Sequence, residues 1–229
     1  MSKKEFKSLV INVLFVLVLV SICMILFQAS QYQVISMLLI ISACFPIYYR
    51  YEKKQVNIKE IVLIAILITV AVLGRFLFYM IPAITPMTAI IIISGISLGY
   101  EVGFLVGSLS AVASNMLFGQ GPWTPFQMFS WGMIGFLAGL PWMRKILGKS
   151  YWFLALYGIF AGLFFSFFMD VWTVFSIDRY FSWQRYLALL LTAVPYTLSY
   201  CFANAFFSCL LFRVIQTKLQ RILIKYDIK

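Results

Sequence analysis

The sequence has no histidine and few acidic residues: its 229 residues include 7 Asp and Glu against 18 Lys and Arg. Without histidine there is no imidazole base, no imidazole metal ligand and no Ser-His-Asp triad. Charged residues of either sign make up 11% of the chain, whereas a soluble domain carries about 25%. These shortages argue against histidine-dependent catalysis and against a water-soluble fold.

Apolar residues are abundant instead. They make up 63% of the chain, and the mean hydropathy is +0.98. A soluble domain is only about 45–50% apolar, because it cannot bury more apolar surface than that. The composition therefore predicts an integral membrane protein and excludes a soluble enzyme, a secreted scaffold and a disordered chain.

The apolar residues fall into segments near the length of about 20 residues that a membrane-spanning helix needs. We predict an all-α, polytopic membrane protein with about eight transmembrane helices. The segments are 8–27, 34–49, 58–80, 86–99, 102–118, 126–147, 152–175 and 186–214. Two of them, 86–99 and 102–118, are short enough to be tilted or partly re-entrant. Between and after the segments we predict a polar, aromatic loop at 176–185 and a basic tail at 213–229.

The basic residues predict an orientation. The first segment is longer than the apolar core of a signal peptide, about 7–15 residues, so we expect it to be retained. If eight helices are threaded from a cytoplasmic N-terminus, fifteen of the eighteen basic residues lie inside, and Arg75, Arg179 and Arg185 lie outside. The positive-inside rule requires this asymmetry. We therefore expect a multi-pass plasma-membrane protein with both termini in the cytoplasm, and we read the net charge of +11 as a sign of orientation rather than of nucleic-acid binding.

Small residues recur every four positions and predict close helix packing. The longest series consists of Gly95, Gly99, Gly103, Gly107 and Ala111. Ala65 and Thr69 form a shorter pair within 58–80. That pair is explained equally by internal packing and by a surface on which another membrane protein docks.

Polar and aromatic residues collect near the predicted outer ends of the helices, around Arg75 and Tyr79, along 119–131 and along 170–185. We predict a substrate pocket that opens outward. For Arg75 the alternative is a side chain reaching lipid phosphates, and for Asn115 it is a hydrogen bond between helices. An ion pair between Arg75 and Asp170 is a further hypothesis. The candidate substrate-binding residues are Arg75, Tyr79, Asn115, Trp123, Phe126, Gln127, Trp131, Asp170 and Trp172.

The sequence carries no motif for using energy or a cofactor. It has no Gly-x-x-x-x-Gly-Lys phosphate loop, and its four cysteines lie in apolar segments without a Cys-x-x-Cys pair. We expect neither a cofactor nor a bound metal, and no enzymatic activity. A chain that binds a molecule from outside and cannot hydrolyse ATP is either passive or driven by a partner.

Residues 58–214 resemble the substrate-binding S components of energy-coupling factor (ECF) transporters, and they are most similar to the cobalamin-specific branch. The resemblance is strongest in Phe118-Gly119-Gln120-Gly121-Pro122-Trp123-Thr124-Pro125-Phe126-Gln127-Met128. It extends to Gly74-Arg75-Phe76, Pro82 to Thr88, Gly103 to Gly107, Trp131-Gly132 and Gly135 to Gly139. It implies a six-helix substrate-binding core at 58–214, preceded by a two-helix extension and cytoplasmic loop at 1–57 and followed by a basic cytoplasmic tail at 215–229.

The resemblance also implies a mechanism. An S component captures a vitamin from outside, associates with a transmembrane coupling protein (the T component) and two ATPase subunits, and topples in the membrane to deliver its substrate. A small-x-x-x-small motif on the first core helix contacts the coupling protein; Ala65 and Thr69 match it here, with threonine in place of the second alanine. The expected substrate is cobalamin. The alternatives are another vitamin or micronutrient, a membrane-embedded enzyme acting on lipid-linked substrates, and an assembly protein.

Overall fold

The computed structural model describes Cys44, Tyr48, Tyr51 and residues 57–227, and the predicted segment 8–27 and most of 34–49 lie outside these residues. Between residues 57 and 227 the chain forms eight helices and no strand. In chain order they are α1 (Ile58–Leu77), α2 (Met87–Leu98), α3 (Tyr100–Phe118), α4 (Thr124–Ala138), α5 (Pro141–Leu147), α6 (Tyr151–Asp178), α7 (Trp183–Thr192) and α8 (Val194–Tyr226). The predicted all-α class is confirmed.

Four of these helices, α1, α3, α6 and α8, are long and apolar enough to cross a membrane. The shorter, apolar helix α2 has 12 residues. It lies in the middle of the bundle, packed against α1, α3, α4 and α8, and ten of its residues are buried. Neighbouring helices therefore shield it from lipid, so a short helix is accommodated there.

Two predicted segments are divided in the structure. The segment 126–147 becomes α4 and α5, and α5 begins at Pro141 after an extended residue, Leu140. Proline has no N–H to donate, so it suits the first turn of a new helix. The segment 186–214 becomes α7 and α8, with Pro195 in the first turn of α8. Apolar composition runs through both breaks, which is why hydropathy alone missed them.

The predicted loop at 176–185 is shorter than expected. Residues up to Asp178 belong to α6, which ends at Arg179 in the left-handed conformation (φ 62°). Trp183 already begins α7. The helix α8 continues past residue 214 to Tyr226, so the basic stretch is helical over that range.

The glycine series packs helices against each other within the chain. A Cβ added at Gly103 would meet the carbonyl of Gly135, and one added at Gly107 would meet the carbonyl of Trp131. The backbones of α3 and α4 thus touch directly, as closely packed membrane helices do. Gly158 and Gly162 of α6 approach the backbone of α8 in the same way.

An arginine side chain caps the C-terminal end of α2. Arg144 of α5 donates from Nε to the carbonyl of Ile96 (2.6 Å) and from a terminal nitrogen to that of Ser97 (3.0 Å). These carbonyls have no partner further along the helix. Burial lowers the pKa of the Arg144 guanidinium from its ordinary value. The contact fixes α5 against the link at Gly99 (φ 104°), the predicted turn between α2 and α3.

Candidate substrate site

A cavity of about 430 Å³ lies at the end of the bundle where α1 finishes and α8 begins. Residues from α1, α4, α6 and α8 and from the 78–86 loop surround it. Its polar lining residues are Arg75, Tyr79, Thr85, Gln127, Ser166, Asp170, Tyr196 and Tyr200. The volume is in the range of about 300–1,000 Å³ typical of small-molecule sites.

The 78–86 loop forms one wall of the cavity. Ala83 adopts a left-handed conformation (φ 63°), which is uncommon for a residue with a Cβ. The loop is attached at both ends: the Phe78 ring packs edge-on against Phe207 of α8, with centroids 5.1 Å apart, and the Thr85 hydroxyl accepts from the Met87 amide at 3.3 Å. These contacts place Tyr79 and Ile84 on the cavity.

Arg75 is held in place by neutral groups. Its guanidinium donates to Ser114 Oγ at 2.6 Å and to Asn115 Oδ1 at 3.1 Å, both on α3. It also lies over the ring of Phe118 at 4.9 Å and that of Trp131 at 5.5 Å from the centroid. None of these contacts neutralises the charge, so the cation remains available to a ligand in the cavity.

Asn115 connects Arg75 to α4. It is 1% exposed, and its amide nitrogen donates to Gln127 Oε1 at 2.7 Å and to Thr124 Oγ1 at 2.9 Å. The Thr124 hydroxyl in turn donates to Gln120 Oε1 at 2.9 Å. Asn115 thus forms hydrogen bonds between helices, which was the alternative to a direct ligand contact. It orients Arg75 and Gln127 from behind the cavity wall.

An aromatic stack forms the floor beside Arg75. The Trp131 ring stacks on Phe165 with centroids 4.6 Å apart, and Phe165 meets Tyr200 edge-on at 5.3 Å. Trp131 Nε1 donates to Thr88 Oγ1 at 3.2 Å. The indole is thereby fixed in one orientation, buried between Phe165 and the Arg75 guanidinium.

Asp170 supplies a carboxylate to the same cavity. Its Oδ2 is buried and has no hydrogen-bond partner. The hypothesised ion pair with Arg75 is wrong: no contact within 4 Å joins the two, and Arg75 bonds Ser114 and Asn115 instead. A buried oxygen without a partner is costly, so a ligand group that donates to Asp170 would be favoured.

Of the nine predicted site residues, five line the cavity: Arg75, Tyr79, Gln127, Trp131 and Asp170. Asn115 lies one layer behind. The other three are in the same part of the fold but not on the cavity wall.

Those three residues pack elsewhere. The rings of Phe126 and Trp172 pack against each other with centroids 5.1 Å apart and are almost fully buried. Trp123 is 38% exposed, and its ring covers Gly121. We expect these residues to support the cavity wall.

Sequence reasoning missed the contribution of α8. Tyr196 and Tyr200 line the cavity, as does Ser166 of α6, whose hydroxyl hydrogen-bonds Thr197 Oγ1 at 2.5 Å. The two tyrosines are four residues apart and so share a helix face. That spacing was a usable signal, but it lay inside an apolar segment that we interpreted only as a span.

Of the polar and aromatic stretch at 170–185, only Asp170 lines the cavity. Beyond it, Asp178 pairs with Arg185 at 3.1 Å on the surface. The bonds to the Asp178 carboxylate raise the pKa of the Arg185 guanidinium above its ordinary value. This pair joins the end of α6 to the start of α7 and lies outside the cavity lining.

Comparison with known families gives a match to the model of the ECF transporter substrate-specific component, over residues 59–226. The chain belongs to this family. It is the substrate-specific membrane subunit of an ECF transporter, a subunit that works with a T component and ATPases, and it is not an enzyme. Because the chain belongs to this family, the alternatives of a membrane enzyme and of an assembly protein are wrong. No curated protein and no solved structure gives a significant match.

Proposed function

We propose that this subunit binds a vitamin in the 430 Å³ cavity from outside the cell, with cobalamin as its substrate. The observation that carries the proposal is a cavity in which a cation, Arg75, and a carboxylate, Asp170, lie within aromatic walls. The positive-inside rule supports an outside location for this end of the bundle, because most basic residues lie toward the other end. Such a lining can hold a flat, polar molecule by stacking and by hydrogen bonds to either kind of group.

Cobalamin is supported by the long motif at 118–128 and by the many neutral hydrogen-bonding groups around the cavity, among them Gln127, Ser166 and Tyr196. A corrinoid is larger than 430 Å³, so its binding would need a wider cavity than this one. One observation favours a second candidate, a smaller anionic vitamin. Arg75 already lines the cavity and is bonded only to neutral groups, so it can receive the carboxylate or phosphate of a ligand that fits the cavity as it stands.

A binding experiment tests the substrate. The full chain is purified in detergent, inspected for a co-purifying red corrinoid, and titrated by calorimetry with cobalamin and with a panel of riboflavin, thiamine, biotin, folate and pantothenate. We expect sub-micromolar binding of cobalamin. Sub-micromolar binding of one anionic member of the panel, with none of cobalamin, would select the second candidate. If no compound binds at that level, the proposal of a vitamin substrate fails.

We further propose that α1 docks on the T component and that toppling delivers the substrate inward. Ala65 and Thr69 are exposed on α1, and the Thr69 hydroxyl donates to the Ala65 carbonyl at 2.9 Å. The threonine therefore satisfies its own polar group and leaves a smooth face, as the small-x-x-x-small match requires. Around it the exposed surface of α1 is apolar, including Ile61, Val62 and Ile66.

A bulky substitution on this face of α1 distinguishes docking on the T component from substrate binding. Ala65→Trp should abolish uptake into cells that express the whole transporter while leaving the vitamin affinity of the purified subunit unchanged. Leu198→Trp is the matched control, because it adds bulk at an exposed position of α8. Normal uptake by the Ala65 variant, or equal loss in the control, would exclude this face of α1 as the docking surface.

A further inference from the structure

A second cavity, of about 220 Å³, lies at the opposite end of the bundle from the substrate site. We call it the basic cavity; its polar lining residues are Lys149, Ser150, Tyr151, Arg213 and Gln216. Ser150 precedes Asp170 by twenty residues along α6, which corresponds to a rise of about 30 Å. The basic cavity is thus separate from the substrate cavity, and the function proposed above uses none of its lining residues.

Its two cations are not neutralised by the part of the chain that the structure describes. None of the lining residues is acidic, and no ion pair within 4 Å joins Lys149 or Arg213 to a carboxylate between residues 57 and 227. Lys149 belongs to the link between α5 and α6, whereas Arg213 belongs to α8. Two positive charges from different elements therefore face one small, polar space.

The start of α6 adds to this positive field. Ser150 caps the helix, with its Oγ accepting from the Trp152 amide at 3.3 Å. The helix is 28 residues long, and the partial positive charge of its N-terminal end attracts anions. This contribution reinforces the two side-chain charges at the same place.

Exposed aromatic residues indicate the depth of the basic cavity in the membrane. Trp152 is 81% exposed and Trp142 is 54% exposed, and both flank the link that carries Lys149; Tyr151, a lining residue, is 43% exposed. Exposed tryptophan and tyrosine at the end of membrane helices mark the level of the lipid headgroups. By this criterion we expect the cavity at the level of the lipid phosphates.

We propose that the basic cavity binds the headgroup phosphate of an anionic phospholipid. Lys149 and Arg213 contact the phosphate oxygens from two sides, and Gln216 donates to the phosphate or to a headgroup hydroxyl. Basic pockets between membrane helices recognise such headgroups. By joining the α5–α6 link to α8, the lipid would hold two elements together at this end of the bundle.

Native mass spectrometry of the full chain in detergent tests the site. The protein is titrated with phosphatidylglycerol and, separately, with phosphatidylcholine of the same acyl chains. We expect one phosphatidylglycerol to bind with a clear preference over phosphatidylcholine. The double variant Lys149→Gln/Arg213→Gln should lose about thirty-fold in phosphatidylglycerol affinity, as expected for two cations near an anionic lipid.

The matched control is Lys218→Gln/Arg221→Gln, which removes two exposed cations of α8 outside the cavity. Its affinity for phosphatidylglycerol should stay within about twofold of the parent. Equal loss in both double variants would overturn the proposal, because it would show general surface attraction. Equal binding of phosphatidylcholine would also overturn it. So would displacement of the lipid by millimolar inorganic phosphate, because the cavity would then be a site for the free ion.

Discussion

The Arg75 guanidinium lies 3.1 Å from Asn115 Oδ1, so the cation of the substrate cavity is oriented by a neutral side chain of the neighbouring helix. Because Asn115 also donates to Gln127 at 2.7 Å, one buried amide positions two lining residues. The cation is thus preorganised without being neutralised, which lowers the cost of orienting it when a ligand arrives.

Removing the charge at Arg75 should weaken substrate binding. Arg75→Met should reduce the affinity for the vitamin that the chain binds by about tenfold or more, the loss expected for one hydrogen bond to a charged group. Arg75→Lys should recover only part of this, since lysine lacks the planar guanidinium that lies over the rings of Phe118 and Trp131. Calorimetric titration measures both.

The control for this prediction is Arg179→Met. Arg179 ends α6 and is not a lining residue of the substrate cavity. Its removal should leave the affinity within about twofold. If the two methionine variants bind equally well, Arg75 has no direct role in binding.

Two buried serines of α3 should respond differently to the same change. Ser114 and Ser110 are both fully buried, but Ser114 Oγ accepts from Arg75 at 2.6 Å, whereas Ser110 Oγ has no partner. Ser114→Ala should lower the free energy of unfolding by about 1–3 kcal/mol, because it removes a hydrogen bond to a charged group. Ser110→Ala should be neutral or stabilising.

Thermal unfolding of the two variants in detergent measures the difference. A lower midpoint temperature is expected for Ser114→Ala alone. Equal midpoints would show that the contact between Arg75 and α3 does not contribute to stability.

The contact between α3 and α4 should not tolerate a methyl group. A Cβ at Gly135 would fall on the backbone carbonyl of Gly103, and backbone cannot rotate away as a side chain can. Gly135→Ala should therefore cost about 1–3 kcal/mol or more, as overpacking does. Leu109→Ala, on the exposed side of α3, is the control and should change the unfolding temperature little. A Gly135 variant as stable as the control would show that the two helices can separate.

The helix α7 should lie along the membrane surface. It has 10 residues and none is buried, so it is too short to span a bilayer. Trp183, Leu187 and Leu191 form an exposed apolar row, while Gln184, Ala188 and Thr192 form an exposed row of polar and small residues on the neighbouring side. This division is typical of a helix at the lipid–water boundary.

Cysteine labelling tests the position of α7. In a parent whose four native cysteines are replaced by alanine, Ala188→Cys should react with a membrane-impermeant maleimide added outside intact cells. Leu187→Cys, one residue away on the lipid side, should be protected. Equal reaction at both positions would place α7 in water, and reaction at neither would place it within lipid or on the cytoplasmic side.

Several elements were predictable because a local property determines them. The turn at Gly99 follows from a residue that tolerates a positive φ, and helix type follows from long apolar runs. The breaks at Pro141 and before Pro195 were missed, because apolar composition is the same on both sides of each. Asn115 and Gln127 were identified from type and position, while Tyr196 and Tyr200 were overlooked in a segment that we expected only to span the membrane.

By itself the sequence determined that this chain is a helical membrane protein, that it belongs among the S components, and that its polar residues collect toward one end. The sequence was sufficient for this because insertion of a segment into lipid depends on the apolar length and charge of that segment itself. Only the tertiary structure decided that Arg75 bonds Ser114 and Asn115 instead of Asp170, and that Trp172 packs on Phe126 instead of lining the cavity. Those outcomes depend on how helices distant in sequence rotate and approach each other, and the glycine contacts between their backbones set that approach.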